Sequence, residues 1–335
     1  MLISLFLFFL AAGAIYFACE FFVNGVEWLG RRLNLSATAT GSVLAAFGTA
    51  LPESAVTFTA VVFGSTPQQK DIGVGAALGG PLVLATIAYA VVGFALLRHR
   101  RMHPQNRHGI TVDHRRLSRD QAWFLAIFAI KVGLGLVVFT IKPWLGVLFL
   151  AAYGLYVWRE LKDDGSEDPH GDDALEPLKI RPRDAEPTLF WVALQTLAAL
   201  AVVAFASHVF VAQIEALGIA FGMSPHMAAL LLSPIATELP ETMNALIWVR
   251  QGKERLALAN ISGAMMIQAT IPSALGLFFT HWLFDGPLLA AAVITMVAVG
   301  VLWVLFRRGV MDSRILASVG TLYGVFAGYV IWFTR

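Results

Sequence analysis

Apolar residues run along this chain in blocks of roughly twenty to thirty, and nearly all the charge is gathered in the stretches between them. A block of that length crosses a bilayer as a helix, because about 20 residues rising 1.5 Å each span the ~30 Å hydrocarbon core. Ten spans are predicted, at residues 2–29, 36–64, 71–97, 121–140, 143–161, 188–217, 225–249, 255–280, 287–306 and 315–334. Lys142-Pro143 is the turn between the fourth and fifth. The first block has no basic residues ahead of it and continues past residue 20 without a cleavage site, so it is expected to remain as the first helix.

Composition agrees with a membrane protein. Of 335 residues, 58% are hydrophobic and 14% charged, against about 25% charged in soluble domains. The net charge of +2 supplies no basic field for nucleic acid. A single cysteine, Cys19, excludes both a disulfide framework and a cysteine metal site.

Charge also orients the spans. With loops assigned alternately to two sides, 20 of the 24 Lys and Arg fall on one side and three on the other, with Lys131 inside a span. That bias predicts a cell-membrane protein with cytoplasmic charged loops and both termini extracytoplasmic. The Arg-rich loop 98–120 is expected against anionic lipid headgroups. Residues 162–187 carry seven acidic residues from Asp163 to Glu176 but lack the order of an EF-hand loop, and are read as a solvated linker. The expected organisation is therefore a five-helix unit at 1–161, an acidic cytoplasmic linker at 162–187 and a second five-helix unit at 188–335.

The two units share a motif. Residues 49–54 read Thr-Ala-Leu-Pro-Glu-Ser and 237–242 read Thr-Glu-Leu-Pro-Glu-Thr, each in the second helix of its unit. An odd number of spans per unit turns the second copy over, so the fold class predicted is an all-α polytopic membrane protein of ten transmembrane helices in two inverted five-helix repeats. In such architectures the binding site lies near the midplane, between the halves.

The motif has the chemistry of a hard-cation site. An intramembrane carboxylate is costly and by default functional, which singles out Glu53 and Glu241. Their recurrence in one setting argues against packing alone. Pro52 and Pro240 lack an N–H, so the carbonyls of Gly48 and Ala236 lose their helical partners, and a bound cation can satisfy them. Thr49 and Thr237 stand one turn before the glutamates on the same face. Carboxylate, carbonyl and hydroxyl make an all-oxygen set suited to calcium, sodium or magnesium, and two glutamates match one divalent charge. Glu238 adds a further carboxylate. In the following helices Gly73, Gly75, Gly79 and Gly80 permit close approach, while Asn260 and Gln268 share a face and offer amide oxygens.

Residues 46–53, Ala-Phe-Gly-Thr-Ala-Leu-Pro-Glu, and 235–241, Ile-Ala-Thr-Glu-Leu-Pro-Glu, resemble the two Gly-Thr-Ser-Leu-Pro-Glu motifs of the cation/calcium exchanger superfamily. Glu20 and Gly25 ahead of Arg31-Arg32 are similar to that family's first helix. The resemblance implies ten helices in inverted halves, calcium ligation by Glu53 and Glu241 with Thr49 and Thr237 beside them, and alternating access by sliding of the first and sixth helices. It also marks departures. Ala50 and Glu238 stand where sodium exchangers have a serine, and the family's Gly-Asn-x-x-Gly-Ser-Asn becomes Gly75-Ala76-Ala77-Leu78-Gly79-Gly80-Pro81 in one half. In the other half only Asn260 survives with a glycine, and His208 stands where an acid is usual. Neutral oxygens are lost and protonatable groups gained, which weakens three-sodium coupling and favours protons.

The resulting expectation is a secondary antiporter moving Ca2+ against Na+ or H+ by alternating access. It needs no cofactor; its partners are inorganic cations and membrane lipid, and one copy of the chain suffices. Another divalent cation, a passive channel and a scaffold that has lost transport stand as alternatives. Channels build filters on an oligomer axis, whereas this chain carries its own two-fold repeat. Enzyme motifs such as H-E-x-x-H and G-x-S-x-G are absent from the sequence.

Overall fold

The computed structural model describes residues 1–32, 50–102, 114–163, 176–250, 252, 254–309 and 312–333, and every regular element among them is helical. In order these are α1 (Leu2–Arg32), α2 (Leu51–Val62), α3 (Pro67–Val83), α4 (Tyr89–Met102), α5 (His114–Gly135), α6 (Gly146–Asp163) and α7 (Leu189–Ala220). They are followed by α8 (Pro225–Thr237), α9 (Leu239–Arg250), α10 (Glu254–Phe279), α11 (Gly286–Arg307), α12 (Ser313–Ser318) and α13 (Gly320–Phe333). A π turn at Leu84–Ala88 joins α3 to α4, and a 3-10 turn at Lys142–Leu145 marks the predicted Lys142-Pro143 corner. Among the described residues six segments are long and apolar enough to cross a membrane: Leu2–Leu29, Pro67–Arg98, Leu189–Ala220, Ala257–Phe279, Gly286–Arg307 and Ser313–Trp332.

Helix starts follow local chemistry. Thr66, Ser224 and Asp285 each accept a hydrogen bond from the backbone N–H three residues on, at 3.2, 3.2 and 3.0 Å, and each precedes a proline in the first turn. A polar cap and a first-turn proline satisfy or remove the N–H groups that a helix leaves unpaired. The predicted spans shift accordingly: the third begins at Pro67, not 71, and the fourth runs from His114 to Gly135 instead of 121–140. The seventh is interrupted at Glu238 and the tenth at Val319. Residues 36–49 of the second predicted span lie outside the described residues.

Among the described residues the apolar core falls into two large clusters and a small third one of Trp28, Leu178 and Val192. The smaller of the two large clusters is built from α1, α2 and α7 with the facing sides of α3 and α8; the larger gathers α4, α5, α10, α11 and α13 around the other sides of α3 and α8. Each core mixes helices from both sequence halves. α1 packs along α7 for most of its length, with Phe8 stacked on Phe210 at 4.7 Å. Residues 176–187, at the end of the predicted linker, are mostly exposed, but the first of them are fastened to α1 and α7. Glu176 offers its carbonyl to Trp28 Nε1 at 2.9 Å and to Asn24 Nδ2 at 3.3 Å, Leu178 is buried, and Gln195 accepts from the Ile180 N–H at 2.9 Å. Backbone groups entering a helical interface must find partners there, and Asn24 and Gln195 supply them. Residues 164–175 lie outside the described part.

At the opposite end, Lys142 is buried and donates to the carbonyls of Val137, His281 and Trp282 at 2.7, 3.0 and 2.9 Å. These bonds, with Trp282 N–H to Thr280 Oγ1 at 3.0 Å, hold Trp282 at φ 48°. A bulky residue in the left-handed region costs about 1–3 kcal/mol and persists only where its surroundings fix it.

Candidate cation site

α2 and α9 are both 12 residues long, both begin Leu-Pro-Glu, and start 188 positions apart. Glu53 and Glu241 are thus each the third residue of a short helix beginning inside the fold. There the backbone N–H groups have no helical acceptor and the helix dipole favours an anion. Glu238 occupies the break between α8 and α9, where its N–H reaches only Pro234 O, at 3.0 Å. Pro240 has no N–H to return to the Ala236 carbonyl, which is why the helix restarts here.

Glu53 is 1% exposed, and Glu238 and Glu241 are 0% exposed. Their surroundings differ. Glu238 is tied on both oxygens, Oε1 accepting from Thr237 Oγ1 at 2.8 Å and Oε2 from Gln268 Nε2 at 2.9 Å. Among the described residues neither oxygen of Glu53 or of Glu241 has a hydrogen-bond partner. The hydroxyls of Thr57 and Thr237 stand near Glu53 without closing a full hydrogen bond. Glu53 and Glu241 both lie within electrostatic range of Glu238, and Glu241 also of Glu53. Three desolvated carboxylates in mutual range need positive charge, since burying an unpaired ion costs several kcal/mol.

Among the described residues no three His, Cys, Asp or Glu side chains close on one point at metal-ligand spacing. Carboxylates alone therefore do not form a cage, and hydroxyl and carbonyl oxygens must complete any coordination, as hard cations accept. The orphaned oxygens of Glu53, Glu241, Ser233, Ser207, Thr57 and Gln268 are the available donors. Such a set suits a cation that is bound, carried and released as substrate.

The structure brings Glu53, Thr237, Glu238, Glu241 and Gln268 together. Ala236 sits one residue before Thr237 in the last turn of α8, while Gly48 and Thr49 lie outside the described residues. Asn260 is half-buried with its Nδ2 unpartnered, eight residues before Gln268 on α10 and so about 12 Å further along the axis. Glu20 turns to Lys179 at 3.4 Å, with its side chain 39% exposed. His208 lies on the exposed side of α7, away from this interior.

Cys19, Gly80 and Lys131 also adjoin the carboxylates, and Ser207 is the counterpart of Cys19 in the repeat. Cys19 and Ser207 are 188 positions apart like the glutamates, and both are buried; Cys19 lies within electrostatic range of Glu241. Gly80 is the counterpart of Gln268 at the same interval, and a Cβ on it would stand 2.9 Å from both Gln268 Oε1 and Glu238 Oε1. The absent side chain gives that pair its space. Lys131 of α5 is fully buried within electrostatic range of Glu53. The 188-residue interval was the signal for Cys19, Ser207 and Gly80; no interval marks Lys131.

The family described as sodium/calcium exchanger protein matches residues 3–162 and 191–335. Inner membrane protein YrbG of Escherichia coli (strain K12) is 25% identical over 324 residues, covering 95% of this chain and 92% of that protein. Among solved structures, an H+/Ca2+ exchanger CAX aligns with a TM-score of 0.67 and 16% identity, over 99% of this chain and 88% of that one. The sodium-calcium exchanger NCX_Mj aligns at 0.61 and 18%, over 98% of each. At these identities the two structures establish the fold.

Proposed function

The chain belongs to the sodium/calcium exchanger protein family, a family of membrane transporters and not of enzymes, and from that premise we propose that it is a secondary antiporter exchanging Ca2+ for protons by alternating access. The observation that carries this reading is the pair of buried glutamates, each third in a half-helix and each with both oxygens unpartnered, beside the third carboxylate of Glu238. Two unpaired carboxylates match a divalent ion in charge and in preference for oxygen.

Ten spans in two inverted halves accommodate the helices, with α3 and α4 as one span, α8 and α9 as another, and α12 and α13 as the last. Packing supports the repeat: α1 pairs with α7 and α5 with α11, while α6 lies on α10 as α12 lies on α4. Exchanging the two halves maps each of these pairs onto itself or onto another of them. Both termini are extracytoplasmic in this arrangement, residues 1–161 and 188–335 are the two halves, and one chain contains a whole site.

Protons are favoured over sodium as counter-ion because Ala50 and Gly80 provide no side-chain oxygen where Glu238 and Gln268 stand in the second half. The carboxylates are the groups left to carry the exchanging charge. In proteoliposomes, a pH gradient with the lumen acidic should drive Ca2+ uptake as protons leave, the reverse gradient should oppose it, and a sodium gradient at fixed pH should not drive it. Uptake that follows sodium alone would reassign the counter-ion; uptake indifferent to both gradients would leave a passive pathway instead.

A further inference from the structure

Lys131 projects from α5 between two helices that carry internal prolines, Pro81 in α3 and Pro272 in α10. A proline withholds its N–H from the carbonyl four residues earlier. In α3 that carbonyl belongs to Ala77 and in α10 to Gln268. Lys131 Nζ donates to those two oxygens, at 2.7 Å to Ala77 O and 3.4 Å to Gln268 O. The ammonium thus stands where two helices have each been deprived of one internal hydrogen bond. Its remaining surroundings are the faces of Phe128 at 5.0 Å and Trp282 at 5.9 Å, with Glu53 in electrostatic range. Among the described residues no carboxylate lies within ion-pair distance of it. Trp282 is the residue held at φ 48°, and its Nε1 returns to Lys131 O at 3.2 Å. This wall is braced around the lysine.

Carbonyl oxygens freed from helices, an aromatic face and a nearby carboxylate are the features with which a protein holds a monovalent cation. We propose that Lys131 is a tethered monovalent cation. Its ammonium fills an oxygen pocket beside Glu53 that a free ion would otherwise have to occupy, and so sets which ions the neighbouring site accepts. The inference rests on the cation-exchange reading above. Charge arithmetic agrees with it. Glu53, Glu238 and Glu241 form a chain of buried carboxylates in electrostatic range, and Lys131 lies in range of Glu53; with these four charged they sum to −2, which a single Ca2+ neutralises. No second mobile cation is then required when calcium is bound.

The test uses the full chain in proteoliposomes, with a large organic cation as the only monovalent salt. Wild type should take up Ca2+ down a pH gradient equally well whether or not Na+, K+ or methylammonium is added. Lys131→Ala should lose at least about 10-fold in that medium, the scale of losing a group that supports a metal site, and recover when one of those small cations is supplied. Lys131→Gln keeps a donor for the carbonyls but has neither charge nor space for an ion. It should fold, judged by its thermal unfolding, and stay inactive with or without added cations. Wild-type uptake by Lys131→Ala without small cations, or uptake retained by Lys131→Gln, would overturn the proposal. So would a folded Lys131→Ala that no cation rescues. If Lys131→Ala does not fold, Lys131→Gln decides alone. A wild type without gradient-driven uptake condemns the antiport reading instead; the tethered-cation inference is then judged by whether small cations raise the unfolding temperature of Lys131→Ala more than that of wild type.

Discussion

The two motif regions are alike in backbone and opposed in side chain. α2 and α9 have the same length, the same Leu-Pro-Glu start and the same buried glutamate in the first turn. Around that frame the first half offers space where the second offers polar groups: Ala50 against Glu238, Gly80 against Gln268, Cys19 against Ser207. The difference lets an asymmetric interior form between two helices of matching start and length. Gln268 reaches Glu238 because Gly80, its own counterpart, has no side chain in the way. The first half then contributes a charge that the second lacks, since the interior of α11 carries no basic residue comparable to Lys131.

The hardest blow to this comparison falls on what the halves share. Glu53→Gln and Glu241→Gln should each reduce gradient-driven Ca2+ uptake by roughly 100-fold or more, beyond the 10- to 100-fold typical of residues that only support a metal ligand. Equal losses in both variants would establish equivalent roles; normal uptake in either would remove it from the site. A smaller effect is expected where the halves differ. Glu238→Gln, which keeps an acceptor for Thr237 but removes the charge, should weaken calcium affinity by about 10-fold and flatten the dependence of uptake on the pH gradient. An unchanged pH response would separate Glu238 from the proton.

Next comes the space itself. Gly80→Ala places a methyl against the Glu238–Gln268 pair and should cost about 1 kcal/mol, or roughly 5-fold in apparent affinity. Combining it with Gln268→Ala should recover part of that loss, because the obstruction then has nothing to obstruct. A fully additive double variant would show that the two positions do not interact. The least effect is expected from Ala50→Ser, which adds one hydroxyl at the N-terminus of α2. It should change calcium uptake less than about 3-fold, a hydrogen bond's modest worth, while giving uptake a sodium response measurable against wild type.

Much of this was legible before any coordinates. The glutamates are visible because a carboxylate beside a proline recurs in two apolar blocks. Helix starts are less so: hydropathy places the start at Pro225 but begins the third span at 71, past the cap-and-proline pair at Thr66-Pro67 that decides where the backbone turns. His208 was misleading because α7 is apolar on every side, so no stripe shows which face turns inward. Glu20 is marked only by the resemblance of the first helix, and the lysine that meets it arrives from 159 residues away. Lys131 had a readable half, since Pro81 and Pro272 each imply a carbonyl in need. Only the crossing of α3, α5 and α10 reveals that one ammonium serves both.

The docking of residues 176–180 against α1 and α7 has a mechanical consequence. Asn24 and Trp28 of α1, Gln195 of α7 and the backbone from Glu176 to Ile180 form one knot of hydrogen bonds. The knot ties the two helices at one end, and the stacked Phe8 and Phe210 join them farther along. Neither helix can be displaced alone without undoing both fastenings. They form a single unit, doubly fastened, so that a force applied to either helix is borne by both.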